Sequence, residues 1–192
     1  MSLLGNDVVD LRHPRCIGKS RDRRFLERVF TFEEAAAISD ADDPDRALWW
    51  AWAAKEAAFK VMSKLLGDPP PFRHSAFRFR RDSSADSTRD VVRGSIAYEG
   101  SRIPVLVEDR PDRVHVVAWH PPSTHPPAIH SEVKFLPELE HAPDPEWEQG
   151  MRPRFTEREW DSVHRPDSAL VRVNARSHLA KVLDIAEGAI EI

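Results

Sequence analysis

Asp7 and Glu56 are the residues through which this chain could do chemistry, and their neighbours narrow what that chemistry would be. Asp7 stands in Gly5-Asn6-Asp7-Val8-Val9-Asp10-Leu11, a run with the character of a strand. Glu56 stands in Trp52-Ala53-Ala54-Lys55-Glu56-Ala57-Ala58-Phe59-Lys60, a helical run with one lysine directly before it and another one turn later. Hard cations such as Mg²⁺ take only one or two protein carboxylates and complete their shell with water and phosphate oxygens. Two acids with ammonium groups at hand therefore look like half of a site for a divalent cation and a pyrophosphate. Spacing alone leaves a plainer reading open, in which Asp7 caps a strand end and Glu56 pairs with Lys60 on a solvated helix face.

The elements that must bring the two acids together can be read locally. Leu3, Leu4, Val8, Val9 and Leu11 around Asp7 predict a short strand, closed by the basic, Pro-containing segment from Arg12. A helix is expected from about Asp22, burying Phe25, Leu26, Val29 and Phe30 and leaving Arg21, Arg24 and Arg28 as an exposed stripe. Thr31 followed by Glu34 matches a capping box that opens a helix over residues 32–39. The longest helix should run over residues 45–66, with Gly67 as terminator and Pro69-Pro70-Pro71 beyond it.

On that helix, Leu48, Ala51, Phe59, Met62 and Leu66 fall along one apolar face, with Trp49, Glu56 and Lys60 on an adjacent flank. Lys55 falls in the apolar row, so its charge must either snorkel to water or meet a buried anion. Strand-like runs follow over residues 76–80, 91–98, 103–107 and 114–119. They predict an α+β fold in which an antiparallel sheet packs against one long helix. Residues 1–120 are expected to form the core, 121–150 a Pro-rich connection with a strand at 131–136, and 151–192 a helical segment. Its helix is patterned through Val171, Ala175, Leu179 and Val182.

The 192-residue chain has a net charge of −4, and its charges are unevenly placed. Between Leu11 and Phe30 seven basic residues face two acids, whereas residues 31–46 carry six acids and one arginine. The first segment favours an anionic partner whose approach weakens with salt. Nucleic acid is disfavoured, because the basic segment is short, the net charge is acidic and no stacking aromatics accompany it. The longest apolar run, residues 47–54, cannot span a bilayer. With no secretory pattern at the N-terminus and a single Cys16, the expected location is the cytoplasm, with no membrane partner.

Taken together, the Gly5-Asn6-Asp7 and Trp52-to-Lys60 segments resemble the 4′-phosphopantetheinyl transferase superfamily, whose members carry a G-x-D strand motif and a W/F-x-x-K-E-(A/S)-x-x-K helix motif. Between them, Arg24-Phe25-Leu26-Glu27-Arg28-Val29-Phe30-Thr31 is similar to the R-F-x-x-R-(V/I)-(F/L)-T segment of holo-acyl-carrier-protein synthases. The resemblance implies transfer of the phosphopantetheine arm of coenzyme A to a serine of an acyl or peptidyl carrier protein. It implies Asp7 and Glu56 as ligands of Mg²⁺, Lys55 and Lys60 as contacts of the coenzyme A phosphates, and Lys60 as an aid to the departing bisphosphate. Glu56 or a metal-activated water would take the serine proton. Arg21, Arg24 and Arg28 would dock an acidic carrier protein, with Phe25 as an apolar anchor.

One family motif has no matching string. Ser-x-Ser-His or Ser-x-Thr-His closes the family core, and the nearest segment here is Val114-His115-Val116-Val117-Ala118-Trp119-His120. His115 is then either a degenerate coenzyme contact or part of an ordinary strand, and the closing hairpin is expected to be truncated or diverged. The alternative function is that of a non-catalytic relative that binds a carrier protein or coenzyme A.

Overall fold

The computed structural model describes residues 3–82, 90–120, 149–161, 163 and 166–184. The chain divides into two compact units, Met1–Pro127 and Ala128–Ile192.

In the first unit, β1 (Leu3–Asp10) is followed by α1 (Arg23–Val29), α2 (Phe32–Ser39) and α3 (Pro44–Leu66). Then come β2 (Arg78–Arg81), β3 (Val91–Tyr98), β4 (Ser101–Asp109) and β5 (Arg113–His120). The strands form one antiparallel sheet in the order β1-β5-β4-β3-β2, with α3 laid across β1 and β5. This is the expected α+β arrangement of an antiparallel sheet against one long helix. Local signals account for the helix ends. Asp22 caps α1 by accepting from the Phe25 N–H, and Thr31 and Glu34 form the full capping box of α2. Asp43 caps α3, and Gly67, with φ of 80°, ends it in a backbone conformation that favours glycine.

The core lies between α3 and the sheet, where Leu48, Ala54, Ala58 and Val61 meet Val105, Val107, Val114 and Val116. Two details differ from the sequence reading. Trp49, expected on the flank beside the apolar face, is buried, because α1 and the segment before it cover a second side of α3. Leu66 is exposed, since α3 runs its last turn past the sheet.

Among the described residues β1 has no strand on its outer edge, and α3 covers the carbonyls there. Lys60 donates to the Asn6 carbonyl (2.6 Å) and Lys64 to the Leu4 carbonyl (2.7 Å).

In the second unit, α4 (Glu157–Asp161) opens on a reciprocal Thr156/Glu159 cap, and α5 spans Pro166–Leu183. Ala169, Val173 and Ala180 are buried on α5. Val171 and Val182, expected on its inner face, are exposed, so the buried stripe is rotated from the one read in the sequence. The strand expected at 131–136 lies outside the described residues. No described helix is long and apolar enough to cross a membrane.

Candidate functional site

Gly5 decides how closely β1 can lie on α3. A Cβ at that position would sit 2.1 Å from the Ala57 carbonyl oxygen and 3.1 Å from the Lys60 Cβ, so only glycine permits the approach. Side chains alternate along a strand, so Asp7 shares the helix-facing side with Gly5. Its Oδ1 accepts from Lys60 Nζ at 2.9 Å, and its carboxylate is 19% exposed. Burial raises the Asp7 pKa, opposed by the Lys60 hydrogen bond and by the charges of Lys60 and His115.

Glu56 lies one turn before Lys60 on α3 and is close enough to Asp7 for the two charges to repel. Its pKa is raised by burial and then by Asp7, with Lys60 opposing. Two half-buried carboxylates thus share one ammonium group. Among the described residues no group of three or more His, Cys, Asp or Glu side chains could hold a metal. A pair of hard oxygen donors with a surplus negative charge fits Mg²⁺, which draws its remaining ligands from water and phosphate.

The two lysines of the helix motif part company. Lys60 remains at the mouth of the site, its side chain 44% exposed. Lys55 is fully buried and takes the second of the two exits open to it, a buried anion. Its Nζ lies 2.8 Å from both Glu34 carboxylate oxygens and donates to the carbonyls of His74 (3.1 Å) and Phe77. Burial lowers its pKa, and the Glu34 charge and hydrogen bond oppose that shift. Committed to these acceptors, the Lys55 ammonium does not face Asp7 and Glu56, contrary to the expected phosphate contact.

His74 is the neighbour that the sequence reading missed. Its Nε2 lies 3.5 Å from Glu56 Oε1, and its ring is held between Trp52 and Phe72 at centroid distances of 4.6 and 4.1 Å. The only signal for it was an aromatic two residues earlier, on the chain returning from the proline run. His115 is buried on β5, with Nδ1 3.5 Å from Glu108 Oε2. It pairs in register with Val8, whereas Asp7 pairs with Val116, so the His115 side chain points to the sheet face away from α3.

On the neighbouring surface Arg24 and Arg28 project from α1, while Arg21 belongs to the short 3₁₀ turn Lys19–Arg21 before it; all three are exposed. That turn is tied to α3. Asp45 accepts from the Gly18 and Ser20 N–H groups (2.6 and 2.7 Å), and Trp49 Nε1 donates to the Cys16 carbonyl (3.0 Å). Phe25 is 7% exposed and stacks on Trp52 at 5.4 Å, on the buried side of its helix as the apolar pattern predicts and not available as the anchor that the resemblance implies. It is a core residue because α1 turns its inner face to the Trp49/Trp52 side of α3, while Lys19 and Arg28 lie over its ring.

A family model described as the 4′-phosphopantetheinyl transferase superfamily matches residues 3–111. The chain is 39% identical over 62 residues to a holo-[acyl-carrier-protein] synthase of Magnetococcus marinus, covering 31% of this chain and 45% of that relative. It therefore spans less than half the length of the curated relative it matches. Similar solved structures include an ACPS–CoA complex of Chronobacterium ammoniagenes (17% identity, TM-score 0.47, 62% of this chain and 96% of that one). Another is the holo-[acyl-carrier-protein] synthase of Neisseria meningitidis (20% identity, TM-score 0.44, 61% and 95%). With its family match extending over more than half of its length, the chain belongs to the 4′-phosphopantetheinyl transferase superfamily.

Proposed function

We propose that the protein transfers the 4′-phosphopantetheine arm of coenzyme A to a serine hydroxyl of an acidic acyl or peptidyl carrier protein. The observation that carries this reading is the meeting of Asp7 and Glu56 beside Lys60, on elements whose motifs belong to the family. The name of the curated relative, a holo-[acyl-carrier-protein] synthase, supports the same reading.

In the reaction the serine oxygen bonds to the phosphorus that carries the pantetheine arm. The bond from that phosphorus to the bridging oxygen breaks, and adenosine 3′,5′-bisphosphate leaves with the electron pair. Asp7 and Glu56 would hold Mg²⁺, whose contribution when bound is to offset charge developing on the phosphoryl oxygens. Lys60, the exposed ammonium beside them, steadies the departing bisphosphate. Glu56, or a water beside it, accepts the serine proton. Lys55 orders the site from below. Arg21, Arg24 and Arg28 receive the carrier protein.

Incubation with coenzyme A, Mg²⁺ and apo carrier proteins, followed by mass spectrometry, tests the reading. The expected result is the added mass of the arm, lost on chelation and reduced at least about a hundredfold in Asp7→Ala and Glu56→Ala. Their circular dichroism should stay that of the parent protein. Turnover at the parental rate in either variant contradicts the site. Carrier binding without added mass in the parent protein would identify a non-catalytic relative.

A further inference from the structure

We propose that His74 is a positioning residue for Glu56: its imidazole N–H holds one carboxylate oxygen so that the other is turned toward Asp7, and the buried Glu34–Lys55 pair holds the imidazole there. This rests on the reading of Asp7 and Glu56 as a shared cation site.

The ring is placed from three directions. Trp52 stacks on it at 4.6 Å with an interplanar angle of 25°, and Phe72 lies over it at 4.1 Å, itself stacked on Phe59 at 4.3 Å. Both Trp52 and Phe59 belong to α3, the helix that carries Glu56, so the slot and the carboxylate move as one body. From behind, the backbone is tied down. The His74 and Phe77 carbonyls both accept from Lys55 Nζ, and the Phe79 N–H donates to Glu34 Oε1 at 2.6 Å.

Within this slot Nε2 is buried and meets no partner in hydrogen-bond geometry among the described residues, with Glu56 Oε1 3.5 Å away. With its N–H at Nε2, the ring has Glu56 Oε1 as the acceptor within reach. A carboxylate that repels Asp7 would swing away from it if free. An N–H on one oxygen restrains that rotation, which is the work outer partners do for metal-binding carboxylates.

His74→Phe keeps an aromatic ring in the slot and removes the N–H, whereas His74→Gln restores an N–H without the ring. Binding of Mn²⁺ to the full chain in the presence of coenzyme A, followed by electron paramagnetic resonance, separates the two. In His74→Phe the Mn²⁺ affinity should fall about tenfold or more, with the metal-free unfolding midpoint close to the parent's. The kcat should fall with it while KM for the carrier protein holds, and His74→Gln should recover most of the affinity. Parental affinity in His74→Phe, or equal loss in both variants, overturns the inference alone, provided Asp7→Ala abolishes binding. Absence of Mn²⁺ binding in the parent protein, or its persistence in Asp7→Ala, overturns the shared cation site and this inference with it.

Discussion

Lys55 and Lys60 share one helix and carry the same ammonium group, yet meet opposite surroundings. Lys60 loses little hydration where it stands, so its pairing with Asp7 contributes on the scale of a surface ion pair, about 1 kcal/mol or less. Lys55 is wholly dehydrated, and its charge is tolerable only because Glu34 and two carbonyls replace water. Lys55→Met would leave the Glu34 carboxylate buried and unpaired and should lower the unfolding free energy by about 3–5 kcal/mol. Lys60→Met should change it by less than about 1 kcal/mol. Urea titration of both variants checks this, and similar small effects would contradict the weight given to the buried Lys55–Glu34 pair. The direction of Lys55 was half legible: its place in an apolar row required either water or an anion. The choice was not, because Glu34 already looked complete as the second half of the Thr31 capping box. One carboxylate serves both, with Oε2 on the Thr31 N–H (2.9 Å) and both oxygens on Lys55.

At the scale of elements, the site is the contact between β1 and α3, and Gly5 sets its closeness. Gly5→Ala would press a methyl group into the Ala57 carbonyl, which belongs to the helix backbone and cannot rotate aside. The strand must lift, costing about 1–3 kcal/mol of stability and drawing Asp7 away from Lys60 and Glu56. Denaturant titration and Mn²⁺ binding should therefore both show loss, and parental values in both would mean that the approach of β1 does not matter. The existence of β1, α2 and α3 was legible because their signals are local: alternation around Asp7, the Thr31/Glu34 box, Gly67 and the prolines after it. What α3 touches was not. A single apolar stripe predicts one packed side, whereas α3 is covered both by the sheet and by α1, which buries Trp49 and Phe25 together. His74 was hidden for the same reason, since it approaches Glu56 through a return of the chain that no spacing along the helix reports.

Across the whole molecule, a net charge of −4 coexists with a cationic face because the acids are used internally. Glu34 is spent on Lys55, Asp45 on the backbone of the segment before α1, Asp43 on the cap of α3, and Asp109 on Arg46. Arg23 has Glu27 at 2.7 Å, but among the described residues Arg21, Arg24 and Arg28 have no carboxylate at ion-pair distance. With Phe25 withdrawn into the core, the proposed docking face offers charge rather than an apolar anchor, so its attraction should be long-ranged and sensitive to salt. Arg24→Glu reverses one charge on α1, and among the described residues Arg24 makes no side-chain hydrogen bond or ion pair that its loss would break. It should raise KM for an acidic carrier protein about tenfold or more at low ionic strength and leave KM for coenzyme A near the parental value. Added salt should narrow the gap between variant and parent, because screening removes an attraction the variant no longer has. Steady-state kinetics at two ionic strengths reads all three quantities. Equal loss for both substrates would place Arg24 with the coenzyme rather than with the carrier protein, and a gap that ignores salt would mean that shape, not charge, governs the encounter.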